Sequence, residues 1–310
     1  MARMARIKVA GEAAAYHVYG RVSGEKGFYP LCKPLCRKTL VGMMKRYAKA
    51  YCCEIAAYSV LGTHYHLVLQ FESYRKLSPE ELRERALSLY PNSTFNLDDW
   101  TQEKWDRLQE RLFDVSEFMR NLHSAFAKFY NHTYSRHGKF WADRFKSTLL
   151  ENSKAMLDCM LYVELNPVRA GLVVRPEDWE GSSLFIREAG LDDWLMPLSG
   201  LFEKTKGRSL VEYRSLIYYR GAVPTKKGQA AIPIRIIKEE AARGFEVSGV
   251  YRKRLRYFVD GMVVGSEGFI REKLSSLQES GQYLRRKNPI PHLEGVHMAL
   301  RPQRDTVVSF

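Results

Sequence analysis

The stretch Glu54-Ile-Ala-Ala-Tyr-Ser-Val-Leu-Gly-Thr-His-Tyr-His-Leu-Val-Leu-Gln-Phe71 decides the fold. Two runs rich in Ile, Val, Leu and Tyr flank Gly62-Thr63, a turn signal, so the stretch reads as a β-hairpin. Working outward, residues 14–21 (Ala-Ala-Tyr-His-Val-Tyr-Gly-Arg) read as an earlier strand. Between that strand and the hairpin, Leu40, Val41, Met44, Tyr47, Ala48 and Tyr51 recur at helical spacing after Pro34. Beyond the hairpin, residues 72–113 are polar, with Pro79, Pro91 and Asn92, and predict an insert of short helices. Phe118, Met119, Leu122, Ala125, Phe126, Phe129 and Tyr130 then mark a long amphipathic helix. A loop and a strand are expected over 139–151. A helix capped by Asn152 or Ser153 follows and runs to about Asn166, where Pro167 stops it or restarts it as a new first turn. The order strand, helix, strand, strand, helix, strand, helix predicts an α+β unit, an antiparallel sheet with helices packed on it.

Charge divides the chain of 310 residues unevenly. It carries 49 Lys+Arg against 35 Asp+Glu, a formal net charge of +14. Residues 201–310 hold +10 of this, residues 72–118 hold −4, and the rest hold +8. Such a surplus points to a polyanionic partner. The C-terminal third contains Arg252-Lys253-Arg254-Leu255-Arg256 and Arg285-Arg286-Lys287, interleaved with Tyr251, Tyr257, Phe258 and Tyr283, which can stack on bases. The expected organisation is a unit over 1–190 with an acidic insert at about 72–118, then a basic, mainly helical DNA-binding extension over 191–310. Binding should then be salt-sensitive, and truncation after about residue 190 should weaken affinity.

Composition excludes several classes. No run of 18 apolar residues exists, so no membrane span is expected, and nothing near residue 1 reads as a secretory leader; the expected location is cytoplasmic. Cys32, Cys36, Cys52, Cys53 and Cys159 are odd in number and lack zinc spacing, so they read as thiols in a reducing compartment. There is no phosphate-binding Walker loop, no dinucleotide glycine fingerprint and no His-Glu-x-x-His.

Two short motifs carry chemistry. In a strand His64 and His66 point to one face, with Tyr65 turned away, so both imidazoles can reach one divalent ion. His-x-His also arises where two histidines merely share a surface. The second motif is Met160-Leu-Tyr-Val-Glu-Leu-Asn-Pro-Val-Arg-Ala-Gly171. Here Met156, Leu157, Met160 and Leu161 read as core-facing, while Asp158, Tyr162 and Asn166 fall one turn apart on a neighbouring face. A tyrosine hydroxyl, with its intrinsic pKa near 10, can act as a nucleophile when its electrophile is activated. Core packing with a wet hydroxyl is the alternative for Tyr162 taken alone. Tyr134, flanked by His132 and His137, is the runner-up.

Together these residues resemble the single-tyrosine HUH transposases, and more closely the REP-associated tyrosine transposases. The resemblance also takes in Tyr16-His-Val18, Leu61-Gly-Thr-His-Tyr-His-Leu-Val-Leu69, Tyr130-Asn131 and Gly138-Lys-Phe-Trp-Ala-Asp-Arg-Phe-Lys146. It spans about residues 14–185, with a further similar segment at 261–269. It implies a ferredoxin-like palm, a divalent ion (Mg²⁺ or Mn²⁺), and cleavage of single-stranded DNA at hairpin-forming imperfect palindromes. On this chain it makes Tyr162 the nucleophile and His64, His66 and Asn166 the metal ligands, with Glu164 as the alternative third ligand. Arg21, Arg144, Lys146 and Arg169 lie near the motifs and can hold phosphates. Trp141 and Phe145 can stack on unpaired bases or serve the core. His17, His123, His292 and His297 read as structural or solvated. Monomer and homodimer, and a tyrosine acting on its own or its partner's histidines, both stay open. A catalytically silent DNA-hairpin binding protein is the alternative function, and an RNA-binding or RNA-cleaving protein a third.

Overall fold

The computed structural model describes residues 7, 9, 11–91, 96–151, 154–202, 206–224, 228–242, 263–279, 290–292 and 297–299. The basic run 252–256, and with it Arg252, Lys253, Arg254 and Arg256, lies outside them, as do Asn152, Ser153 and residues 285–287.

The chain begins with strand β1 (Ala14–Arg21), helix α1 (Pro34–Ala50), and the hairpin strands β2 (Cys53–Val60) and β3 (His64–Phe71). Helices α2 (Pro79–Leu89), α3 (Gln102–Arg111) and α4 (Val115–Thr133) follow, then strand β4 (Lys146–Leu150). These four strands form an antiparallel sheet in the order β2-β3-β1-β4. With α1 and α4 packed on one face, this is the expected ferredoxin-like β-α-β-β-α-β palm.

Strand alternation sorts the two faces. Tyr16, Val18, Tyr65, Leu67, Leu69 and Phe71 point toward α1 and α4. On α4, Phe118, Leu122, Phe126 and Tyr130 form a single stripe that meets them. Asp114 starts α4 by accepting from the Ser116 amide at 2.5 Å. The opposite face carries Ala15, His17, Tyr19, His66 and Val68. In β2 a bulge between Ile55 and Ala57 turns two successive alanines, Ala56 and Ala57, to this face, opposite Val68. Their small side chains let a helix approach closely.

That helix is α5 (Lys154–Glu164), followed after a one-residue turn by α6 (Asn166–Arg169). Every α5 side chain from Ala155 to Glu164 is buried. A helix buried all round needs cover on its outer side, and α9 (Lys206–Gly221) supplies it through Tyr213, Ile217 and Tyr218. The short helices α7 (Ser183–Glu188) and α8 (Ser199–Phe202) connect the two. Pro167 sits in the first turn of α6 and restarts the helix. Gly171, with φ of 70°, ends it in the left-handed conformation.

The acidic insert holds α2 and α3 as expected. They pack on the α1–α4 layer, on the side away from α5. Its acids are largely paired: Glu81 with Arg75 and Arg85, Asp98 with Arg83, Glu117 with Arg111. Arg85 also donates to the Tyr51 carbonyl at the end of α1.

The boundary expected near residue 190 does not separate two bodies. The Met196 amide donates to the Ile55 carbonyl at the edge of β2. Helix α10 (Ile234–Ala241) adds Ile236 to the α5 layer. Strand β5 (Val263–Gly265) pairs parallel with β4, followed by α11 (Glu267–Glu279) and the short strands β6 (Ile290–His292) and β7 (His297–Ala299). The sheet thus runs β2-β3-β1-β4-β5-β7-β6, and the C-terminal third, read as mainly helical, also carries three short strands. Among the described residues no helix is long and apolar enough to cross a membrane.

Candidate active site

Sheet register builds the site. His64 lies opposite Arg21, and His66 opposite Tyr19, which in turn lies opposite Lys146. His17, two residues along β1 from Tyr19, reaches diagonally to His66: its Nε2 is 3.0 Å from His66 Nδ1. Both rings are buried and stack at 5.1 Å. On the other side of the pair stands α5. The Tyr162 ring meets His66 edge-on at 5.7 Å and His17 at 5.9 Å. Tyr162 is largely buried, with 9% of its surface exposed.

Each of the two motif histidines has one nitrogen engaged. His64 Nδ1 lies 3.1 Å from Thr63 Oγ1, and His66 Nδ1 is held by His17. Nε2 is left on both as the nitrogen that could ligate a metal, an arrangement in which the partner of the other nitrogen fixes ring and tautomer. Burial, with help from the Arg21 charge, pushes the His64 pKa down to about 4. Burial, then the His17, His64 and Arg169 charges, pushes His66 well below its ordinary value. Both imidazoles are therefore neutral at pH 7, the form that binds metal. Among the described residues no three His, Cys, Asp or Glu side chains form a ready metal site. The residues brought together here are two neutral imidazoles, His64 and His66, which could hold a divalent ion.

Asn166 donates its amide nitrogen to the Tyr162 carbonyl at 2.9 Å, so Oδ1 is the atom it could offer a metal. Glu164 is not available as a ligand. Its side chain is fully buried and accepts from Ser183 Oγ at 2.5 Å, the Leu184 amide at 3.2 Å and the Tyr213 hydroxyl at 3.3 Å. It stands two residues from Tyr162, about 200° round the helix, so it faces α7 and α9 instead. Burial raises its pKa to about 7. A raised carboxyl is a stability contribution present below pH 4.5 and lost as pH rises through 7. Glu164→Gln should remove this slope, so that the variant gains about 3 kcal/mol on the native protein between pH 4.5 and 7.5. His64 and His66 act with opposite sign in an overlapping window but do so in both proteins, so paired denaturant melts across that range isolate Glu164.

The remaining predicted residues divide. Arg21 is exposed beside His64, and Lys146 sits 5.5 Å from the Tyr19 ring. Arg169 places its guanidinium 5.2 Å from the Tyr162 ring centroid. Arg144 is exposed on the α4 side, where it lines a groove with Arg120 and Lys139. Trp141 does not stack on bases: it is buried, lies 4.2 Å from the His123 ring in a parallel stack, and donates to the His123 carbonyl. Phe145 is likewise in the core. Tyr134 lies beside Cys36, whose thiol donates to its hydroxyl at 3.4 Å, and under Lys33. That hydrogen bond pushes its pKa up to about 12, and it belongs to the α1–α4 layer, across the sheet from His66.

His17, read from sequence as structural or solvated, instead joins the site through His66, a pairing that depends on the β1–β3 register.

No protein-family model matches the chain, and no curated protein matches it in sequence. Among solved structures it is similar to that of a REP-associated tyrosine transposase bound to a REP hairpin, with a TM-score of 0.40 and 17% identity over 62% of this chain and 88% of that one. A likeness at that level leaves the chemistry to be argued from this chain's own residues.

Proposed function

We propose that the protein is a metal-dependent single-stranded DNA nickase and strand transferase, a transposase-type enzyme acting at hairpin-forming palindromic repeats. The observation that carries this reading is the Tyr162 ring standing against His66 and His17, with Nε2 of His64 and His66 left for ligation.

In this reading the Tyr162 oxygen attacks a backbone phosphorus. The new O–P bond replaces the bond from phosphorus to the 3′ oxygen, which departs with its electron pair. The phenolic proton goes to solvent, and the departing oxygen takes one up as a 3′-hydroxyl. The product is a 5′-phosphotyrosyl link, and attack by a 3′-hydroxyl reverses the step without an external energy source. A divalent ion held by His64, His66 and Asn166 would supply polarisation of the phosphate and stabilisation of the departing oxygen. The chain's own part is to hold the phenol beside the imidazoles, keep both imidazoles neutral, and surround the phosphate with Arg21, Lys146 and Arg169.

The test is a labelled single-stranded hairpin oligonucleotide incubated with the protein and Mn²⁺, then resolved under denaturing conditions. An SDS-resistant adduct that a chelator prevents is expected. Imidazole ligands favour Mn²⁺ over Mg²⁺, so Mn²⁺ should give the faster reaction. Tight binding with no adduct under any divalent ion would instead favour a silent hairpin-binding protein.

His17 gives a further prediction. His17→Phe keeps the ring shape but removes the bond to His66 Nδ1. It should weaken Mn²⁺ binding by about 10–100-fold, read by electron paramagnetic resonance titration. His17→Gln, which retains a polar partner, should recover part of the loss.

A further inference from the structure

Arg169 is a cation without a counter-charge. No carboxylate pairs with it among the described residues, and its Nη1 is buried with no hydrogen-bond partner among them. The groups close enough to shift it electrostatically are Tyr162 and a second cation, Arg220. Arg220 comes from the last turn of α9 and donates to Asp158, one helical turn before Tyr162. The next residue, Gly221, packs closely on the joint between α5 and α6: a Cβ there would lie 2.3 Å from Ile232 Cδ1 and 2.9 Å from Leu165 Cδ2. That joint separates Tyr162 from Arg169. Two guanidinium groups and one carboxylate therefore share a small volume beside a tyrosine ring. Arg169 as a whole is half-buried; shielding an unpaired guanidinium nitrogen from water is costly, and the cost is relieved when an anion arrives. The guanidinium fork matches phosphate oxygens in pairs.

We propose that Arg169 and Arg220 form the seat for the phosphate that Tyr162 attacks, so that α9 supplies part of the active site. This rests on the reading of Tyr162 as a nucleophile, but the seat binds phosphate whether or not the reaction occurs. It also gives the C-terminal third a role in chemistry in addition to DNA affinity.

The experiment uses the full chain with Arg169→Met, Arg169→Lys and Arg220→Met. Thermal melts without metal compare inorganic phosphate with sodium chloride at equal ionic strength. Phosphate should raise the native melting temperature by several degrees beyond chloride, and Arg169→Met should abolish the increment while melting no lower than the native protein. Single-turnover adduct formation in Mn²⁺ should fall about 100-fold in Arg169→Met and about 10-fold in Arg220→Met. Arg169→Lys should fall between, since it keeps the charge and loses the fork. A phosphate increment that is absent, or that survives in Arg169→Met, overturns the seat. So does adduct formation at the native rate in Arg169→Met, which would leave the nickase reading standing. A native protein that forms no adduct yet shows the Arg169-dependent increment keeps the seat and removes the nickase reading.

Discussion

Tyr162→Phe should abolish the covalent adduct while leaving the fold and hairpin binding nearly intact. The substitution removes one oxygen and keeps the ring that packs edge-on against His17 and His66. No cavity opens, so stability should change by less than about 1 kcal/mol. Hairpin affinity, which rests on the basic residues, should stay within about threefold by gel shift. The chemistry has no substitute. Tyr19 lies on the same face but is a strand residue paired across the sheet with His66 and Lys146. Tyr134 is across the sheet, with its hydroxyl engaged by Cys36. Cleavage that persists in Tyr162→Phe would transfer the nucleophile's role elsewhere.

Truncation after residue 190 should leave no folded protein. This replaces the expectation from charge, in which the C-terminal third only adds affinity. Tyr213, Ile217 and Tyr218 are each fully buried against α5, and Ile232 and Ile236 join them. Burying a side chain of this size contributes about 1.5–3 kcal/mol. Losing five of them removes an amount comparable with the whole stability of a typical domain, about 5–15 kcal/mol. The cut also exposes the outer side of α5, removes Met196 from the edge of β2 and removes β5 from beside β4. Circular dichroism of a 1–190 fragment should show no cooperative thermal transition. A sharp transition near that of the full chain would show that the palm stands alone.

The palm was legible in the sequence because its signals are local. Two β-rich runs about Gly62-Thr63 gave the hairpin, the Phe118-to-Tyr130 stripe gave α4, and Pro167 marked the place where the helix is interrupted. What escaped depends on distant pieces. His17 meets His66 only through a diagonal across two strands, which no window on either strand contains. Arg220 reaches Asp158 from 62 positions away. Trp141 could be read from sequence as a base-stacking or a core residue, and only His123, on another element, stacking on it places it in the core. The choice between Asn166 and Glu164 was available in the helical period: four residues from Tyr162 share its face, and two do not. The uneven charge pointed to a polyanion partner. It did not reveal that the C-terminal third also closes the core over α5.

The most direct measurement is mass spectrometry of the protease-digested adduct formed with a single-stranded hairpin oligonucleotide. A single modified peptide is expected, containing Tyr162 and carrying a 5′-phosphodeoxynucleotide on that residue. Modification of Tyr134 or any other tyrosine, or cleaved DNA with no modified peptide at all, would contradict Tyr162 as the nucleophile.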